Sequence, residues 1–275
     1  MARRPRRRIG AHSINRLIPN SLTLLALCAG ITAMRFAIEG QWDRAVIAIV
    51  VAGVLDGLDG RIARALGATS RFGAELDSLS DFVCFGVAPA VAVYMWSLQE
   101  LGGLGWALSL LFAVCCGLRL ARFNVALDSK ENMPPWTRDY FVGVPAPAGG
   151  GLAIMPLIFG LQFEHSFFAS PWLNGVMLAG AAALMVSRLP TFAFKRLKVP
   201  GRHVVPVLLA VGAFAAFLIS TPWVTLGVTG LVYLASIPYA RIAYQRQRSL
   251  GDGAGEEGEL DEDGADAGGP EDELT

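Results

Sequence analysis

Long apolar runs dominate this chain, and a run of about 20 apolar residues is enough to cross a bilayer as a helix. Hydrophobic residues make up 53% of the 275 residues and charged residues only 17%, whereas soluble domains carry about 25% charged residues. We therefore predict an all-α polytopic membrane protein. Eight candidate transmembrane helices lie at residues 19–38, 43–66, 73–97, 104–126, 146–163, 171–187, 204–220 and 223–242.

The basic residues indicate how these helices are oriented. Of the 23 Lys and Arg residues, all but Arg35 and Arg44 lie before the first run, at or near alternate connections between runs, or at the end of the last run and beyond it. Cytoplasmic connections are enriched in Lys and Arg, so both termini are predicted to be cytoplasmic. The four cysteines fall within apolar runs and form no CxxC or Cys/His spacing, which argues against a zinc site or a disulfide framework.

One stretch, "LDGLDGRIARALGATSRFGAELDSLSD", places an unusual number of charges between apolar runs. Asp56 and Asp59 are three residues apart, and Asp77 and Asp81 are four apart, so each pair shares a helix face. If the second and third helices pack antiparallel, all four carboxylates meet near the cytoplasmic side of the membrane. These four residues are called the acidic quartet below.

Four carboxylates in one place repel each other, and each costs ~2.5–3.5 kcal/mol at a bilayer centre. Divalent cations balance that charge, and an all-oxygen donor set selects hard ions such as Mg²⁺, Mn²⁺ or Ca²⁺. Four carboxylates can hold two metals, and two-metal sites suit displacement at phosphorus. Gly57, Gly60 and Gly73 leave the helix surface bare for a phosphate or nucleotide, and Arg64 is placed to meet a phosphate oxygen.

Other functions compete with this prediction. Acidic pairs inside membranes also form structural pairs with arginine, relay protons, or mark the pathway of an ion-coupled transporter. The Arg-rich start could indicate a nucleic-acid partner, but orientation and attraction to anionic lipids explain it better. We therefore expect no nucleic acid to bind.

The charged stretch reads D-x-x-D-G-x-x-A-R-(eight)-G-x-x-x-D-x-x-x-D, and it resembles the signature of the CDP-alcohol phosphotransferase family at every position. The matching residues are Asp56, Asp59, Gly60, Ala63, Arg64, Gly73, Asp77 and Asp81. The resemblance implies a core of six transmembrane helices, two bound divalent cations (Mg²⁺ or Mn²⁺) and a homodimer. It also implies transfer of a phosphatidyl or similar group from a CDP-linked donor to an alcohol, with release of CMP.

The resemblance also implies roles for the acidic quartet. Asp56 and Asp77 would bridge both metals, and Asp59 would complete the first metal site. Asp81 would bind the second metal and act as the general base.

For the donor, CDP-diacylglycerol, the resemblance implies contacts from Gly60, Arg64, Ser70 and Gly73. The upstream stretch "PNSLT" is similar to the family's N-x-x-T, which would place Asn20 and Thr23 near the nucleotide.

Three further stretches resemble the integral-membrane branch of the family that uses serine: "LRLARFNV" (118–125), "FVGVPAPAGG" (141–150) and "SRLPTFAFK" (187–195). They imply L-serine as the acceptor, with phosphatidylserine as the product. Arg119 and Arg122 are candidates to hold the serine carboxylate, although arginines at a cytoplasmic helix end also serve as topology signals or lipid contacts. Glycerol 3-phosphate and inositol phosphate are alternative acceptors, which would need more basic residues.

Four parts are expected along the chain. Residues 1–16 form a basic cytoplasmic tail, 17–200 the family's membrane core, 201–245 about two additional transmembrane helices, and 246–275 an acidic disordered tail. By resemblance, the protein is expected in the inner (plasma) membrane of a bacterial cell, in contact with membrane lipids.

Overall fold

A computed structural model describes residues 11–128, 140–163, 167–187, 189–192 and 204–241. The described chain is almost entirely helical. Its helices are α1 (Ala11–Ile38), α2 (Trp42–Ala65), α3 (Arg71–Asp81), α4 (Ala88–Trp96), α5 (Gly103–Asp128), α6 (Ala146–Ala153), α7 (Met155–Phe163), α8 (Pro171–Val186), α9 (Val204–Ser220) and α10 (Pro222–Arg241).

Each of the eight apolar runs coincides with a helix or a pair of helices, which confirms the all-α polytopic prediction. Within the described residues, four helical stretches could cross a membrane by length and composition: Leu17–Ile38, Arg71–Trp96, Gly103–Ala126 and Pro222–Arg241. The α6–α7 pair would make a fifth, bent by 40° at its break. Helix α2, at 24 residues, is long enough to cross a membrane. The charged residues at its C-terminal end make it less apolar than the four stretches above. A six-helix core with two additional spans stays a prediction.

The third predicted span is not a regular helix. Between α3 and α4 the chain forms a π-helical segment, Phe82–Val87. Arg71–Trp96 is therefore one continuous helix with a wider turn in its middle. A π-helical turn bonds each N–H to the carbonyl five residues back and is often found at functional sites. Here it begins immediately after Asp81.

Small residues let the helices approach closely. Helix α1 packs along α2, and the buried residues of these helices include six alanines: Ala26, Ala33, Ala37, Ala45, Ala48 and Ala52. Where α1 meets the π-helical segment, a Cβ on Gly30 would stand 2.6 Å from Cys84 Sγ. A side chain larger than that of glycine would force Cys84 or α1 to shift, so glycine permits the close approach of α1 to the π-helical segment.

A short ribbon and the last two helices complete the described fold. Strands β1 (Tyr140–Val142) and β2 (Pro190–Phe192) pair antiparallel, with Phe141 opposite Thr191. Helix α9 has no buried residue. Helix α10, in contrast, reaches the core through Ile237 and Ala240, which are 7% and 1% exposed. The predicted terminal tails lie largely outside the described residues.

Candidate active site

Three members of the acidic quartet meet between α2 and α3. Asp56, Asp59 and Asp77 each offer a carboxylate oxygen, and these oxygens all lie within 4.8 Å of one another. Asp59 is the most buried of the three, at 4% exposure. Carboxylates this close repel each other unless a cation or a proton lies between them. The prediction that the two helices bring their acidic pairs together is therefore met by the geometry.

Asp81 joins this group one turn deeper along α3. Its carboxyl is in contact with that of Asp56, and its Oδ1 atom is buried with no hydrogen-bond partner among the described residues. None of the four carboxylates forms an ion pair with an arginine in the part of the chain that the structure describes.

This donor set fits divalent metal ions. It consists of hard carboxylate oxygens, which Mg²⁺ and Mn²⁺ prefer, and it includes the buried acceptor on Asp81 that lacks a protein donor. Buried acceptors are rarely left without a partner. A bound cation would both satisfy this oxygen and relieve the repulsion among the carboxylates.

Helix α1 contacts the quartet directly through Thr23. The Thr23 hydroxyl donates a 2.6 Å hydrogen bond to Asp59 Oδ2 and is only 4% exposed. One turn further along α3 from Asp77, the Ser80 hydroxyl donates to the Thr23 carbonyl at 3.3 Å. Thr23 was expected near the nucleotide, and the structure places its side chain against a carboxylate of the quartet.

Three of the residues expected at the donor nucleotide meet at the start of α3. Ser70 is the N-cap of this helix, and its Oγ accepts a 3.0 Å hydrogen bond from the Gly73 N–H. A Cβ on Gly73 would stand 3.0 Å from Asn20 Oδ1 and 3.2 Å from Ser70 Oγ. Helix N-termini favour phosphate groups because their N–H groups and dipole attract anions.

Gly60 and Arg64 lie on the facing helix, α2. The atom nearest to a Cβ on Gly60 would be Arg64 Nη1, at 3.6 Å, and nothing lies within 4 Å of a Cβ on Gly57. The expected bare surface is therefore present beside the quartet. The Arg64 guanidinium borders it.

The two arginines proposed for the acceptor lie on α5 and have different surroundings. Arg119 is 6% exposed, and its Nε donates a 3.0 Å hydrogen bond to the Val144 carbonyl. Arg122 donates from Nη1 to the Val186 carbonyl and from Nη2 to the Ser187 carbonyl, both at 3.1 Å. Arg122 therefore ties α5 to the C-terminal end of α8.

Helix α5 also contacts α3 near the quartet. Asn124 Nδ2 donates a 3.0 Å hydrogen bond to Ser78 Oγ, and the Arg119 guanidinium interacts electrostatically with the Asp81 carboxyl. The Asn124–Ser78 hydrogen bond therefore joins α5 to the helix that carries Asp77 and Asp81.

Comparison with known proteins identifies the family. A family model described as CDP-alcohol phosphatidyltransferase matches residues 16–187, and a second one, CDP-alcohol phosphatidyltransferase 2, matches residues 202–238. The chain belongs to the CDP-alcohol phosphatidyltransferase family. The resemblance read from the acidic signature is thereby confirmed.

Several proteins named CDP-diacylglycerol–serine O-phosphatidyltransferase are similar to this chain over most of their length. A CDP-diacylglycerol–serine O-phosphatidyltransferase of Mycobacterium leprae is 43% identical over 241 residues, covering 87% of this chain and 79% of the relative. The protein of the same name from Mycobacterium tuberculosis is 39% identical over 240 residues, covering 87% and 82%. That from Helicobacter pylori is 34% identical over 186 residues, covering 66% and 74%.

Two features of this CDP-alcohol phosphatidyltransferase were missed from the sequence. The π-helical segment after Asp81 follows an ordinary apolar run, "FVCFGV", with nothing local to indicate it. Tyr233 of α10 interacts electrostatically with Arg119, although it lies more than 100 residues away in sequence. No residue spacing links these two positions, because only tertiary packing brings them together.

Proposed function

We propose that this CDP-alcohol phosphatidyltransferase transfers the phosphatidyl group from CDP-diacylglycerol to L-serine, giving phosphatidylserine and CMP. The observation that carries the proposal is the cluster of carboxylate oxygens from Asp56, Asp59 and Asp77, all within 4.8 Å of one another, because such an all-oxygen set can hold the divalent cations that assist displacement at phosphorus. The serine specificity in the names of the three relatives supports the same acceptor.

Asp56, Asp59, Asp77 and Asp81 are the proposed ligands of two divalent cations, Mg²⁺ or Mn²⁺. Bound there, such ions supply charge stabilisation for the phosphoryl oxygens and for the departing CMP. Thr23 orients Asp59 through its hydrogen bond, because a carboxylate held by a second group presents its oxygens in one fixed direction.

Residues from α1, α2 and α3 are the proposed contacts of the CDP group. The open surface at Gly60 and the Arg64 guanidinium border the pyrophosphate, and the group formed by Asn20, Ser70 and Gly73 lies at the nucleotide end. We expect the donor to enter sideways from the cytoplasmic leaflet of the plasma membrane, with both termini of the protein on the same side. A homodimer in contact with membrane lipids is part of the proposal.

Asp81 is the proposed general base. A carboxylate oxygen of Asp81 that is not bound to metal accepts the proton of the serine hydroxyl as the serine oxygen attacks the β-phosphorus of CDP-diacylglycerol. The bond from that phosphorus to the bridging oxygen breaks, and CMP leaves with the electron pair. Attack is direct, so no phosphatidyl-enzyme forms. A labelled covalent enzyme trapped from the donor alone would contradict this step.

Arg119 is the proposed ligand of the serine carboxylate, because it lies on the helix that is hydrogen-bonded to α3 through Asn124, is buried, and makes a single hydrogen bond, through Nε, within the described residues. Arg122 stays a prediction for the same role, and two of its N–H groups already bind the end of α8.

The experiment uses purified protein, CDP-diacylglycerol and labelled L-serine, with Mg²⁺, Mn²⁺ or a chelator. We expect labelled phosphatidylserine and CMP in equal amounts with metal, and neither product with chelator. Asp81→Asn should abolish turnover and retain donor binding. The control is Asp43→Asn, at the exposed start of α2, which should have the activity of the wild type. Product formation with glycerol 3-phosphate in place of serine would refute the proposal that serine is the acceptor.

A further inference from the structure

The Arg119 guanidinium has hydrogen-bonding capacity that the described residues do not use. A guanidinium carries five N–H donors, and within the described residues Arg119 uses Nε alone, toward the Val144 carbonyl. Its Cζ lies 5.4 Å from the centre of the Phe123 ring, which covers one face and leaves the edge available. A buried cation without a bound anion is costly, so an anionic group from a ligand is expected at this edge.

Tyr233 presents a second unused donor beside the first. It lies on the face of α10 that packs against the core, together with Trp223, Leu226, Leu234 and Ile237. Its hydroxyl is buried and has no hydrogen-bond partner among the described residues. Buried tyrosine hydroxyls usually find a partner, and the charged neighbours of this phenol include Arg119.

We propose that Tyr233 determines acceptor specificity by donating its phenolic hydrogen to the carboxylate of the amino-acid acceptor, beside Arg119. The inference rests on the proposed function and deepens it, since it adds a residue from outside the segment that carries the acidic signature. A carboxylate has about four acceptor positions, so it can accept from a guanidinium edge and from one hydroxyl at the same time.

The location of α10 supports this role. Helix α10 packs on α7, where a Cβ on Gly230 would stand 3.0 Å from Met155 Sδ and one on Gly227 would stand 2.6 Å from the Phe159 ring. These close approaches hold α10 at a fixed distance from the core. Tyr233 lies one turn beyond Gly230, so its ring position is set by the same contact. In this account α10 supplies one wall of the acceptor site.

The test is Tyr233→Phe in the full-length protein, measured with CDP-diacylglycerol and L-serine. Loss of one hydrogen bond to a charged group should raise the KM for serine about tenfold, whereas the KM for CDP-diacylglycerol should stay within twofold. The Tm without serine should be unchanged or higher, because the removed hydroxyl has no hydrogen-bond partner in the described part of the chain. Tyr239→Phe is the matched control, since Tyr239 lies on the same helix and is 68% exposed.

A KM does not depend on the fraction of protein that is active, so partial misfolding of the variant cannot imitate the expected result. A serine KM equal to that of the wild type would overturn the inference, and so would an equal rise in both KM values. If the wild-type protein itself releases no CMP with serine, the proposed function fails and this inference fails with it. Serine-dependent CMP release by the wild type with an unchanged KM in Tyr233→Phe would overturn the role of Tyr233 alone.

Discussion

The hydroxyl of Thr23 on α1 donates a 2.6 Å hydrogen bond to Asp59 Oδ2 on α2. Both residues are 4% exposed, so the hydrogen bond does not compete with bulk water. It links the helix that precedes the acidic signature to one of the carboxylates within it. The orientation of Asp59 therefore depends on a residue 36 positions earlier in the chain.

We predict that Thr23→Val weakens metal activation. Valine has nearly the same shape but cannot donate to Asp59, and loss of a hydrogen bond that orients a metal ligand typically costs about 10- to 100-fold in metal affinity. Titration of activity with Mg²⁺ or Mn²⁺ should show a half-saturating concentration raised by that factor. Thr23→Ser, which keeps the hydroxyl, should restore most of the affinity.

Thr32→Val is the control for this prediction. Thr32 lies on the same helix, and its hydroxyl donates to the Cys28 carbonyl at 2.7 Å, away from the quartet. Its metal dependence should equal that of the wild type. An unchanged metal titration in Thr23→Val would mean that Asp59 is oriented without Thr23.

The acidic quartet could be predicted from the sequence because its physical basis is local. Charges within an apolar run are costly, and spacings of three and four residues place Asp56 with Asp59, and Asp77 with Asp81, on common helix faces. Only the antiparallel packing of two neighbouring helices had to be assumed. The structure brings the oxygens of three of these residues within 4.8 Å of one another.

The contacts of Thr23, Arg122 and Tyr233 could not be predicted, because each depends on a helix that is distant in sequence. Thr23 was expected near the nucleotide, and that expectation did not include its hydrogen bond to Asp59. Arg122 binds carbonyls more than 60 residues later, and no pattern around it distinguishes this from a topology signal. These contacts depend on how the apolar helix surfaces pack against one another. Many different packings would bury surfaces of similar hydropathy, so the sequence does not select one of them.

Gly73→Ala should impair use of the donor. Its new Cβ would stand 3.0 Å from Asn20 Oδ1 and 3.2 Å from Ser70 Oγ, so these neighbours must move, and overpacking of this kind costs about 1–3 kcal/mol. If Asn20 and Ser70 contact CDP, the KM for CDP-diacylglycerol should rise about tenfold, with little change in the KM for serine.

Gly180→Ala provides the comparison for Gly73. Nothing lies within 4 Å of a Cβ at Gly180 in α8, so alanine should leave the kinetics unchanged and stabilise the helix by up to about 1 kcal/mol. A donor KM at the wild-type value in Gly73→Ala would argue against a nucleotide site at the start of α3.

Arg122→Gln separates a structural role from a substrate role. The substitution removes the charged donors to Val186 and Ser187, and the resulting loss of stability should be about 1–2 kcal/mol for these partly exposed bonds. A lower Tm with a serine KM within twofold of the wild type would assign Arg122 to the junction of α5 and α8. A serine KM raised about tenfold, as expected for Arg119→Lys, would instead support the predicted contact with serine.

Asp77→Asn should have opposite effects on stability in the presence and absence of metal. Without metal, the substitution removes one charge from a cluster whose oxygens lie within 4.8 Å of one another, and each repulsive pair removed is worth on the order of 1–3 kcal/mol. The variant should therefore unfold at a higher temperature than the wild type in chelator. With saturating Mn²⁺ the order should reverse, because binding stabilises a folded protein according to its affinity and the variant has lost a metal ligand.

Four thermal unfolding curves test this prediction: wild type and variant, each in chelator and in Mn²⁺. If Mn²⁺ raises the Tm of both proteins equally, Asp77 is not a metal ligand. If chelator leaves the variant less stable than the wild type, the carboxylates do not repel one another as the geometry requires.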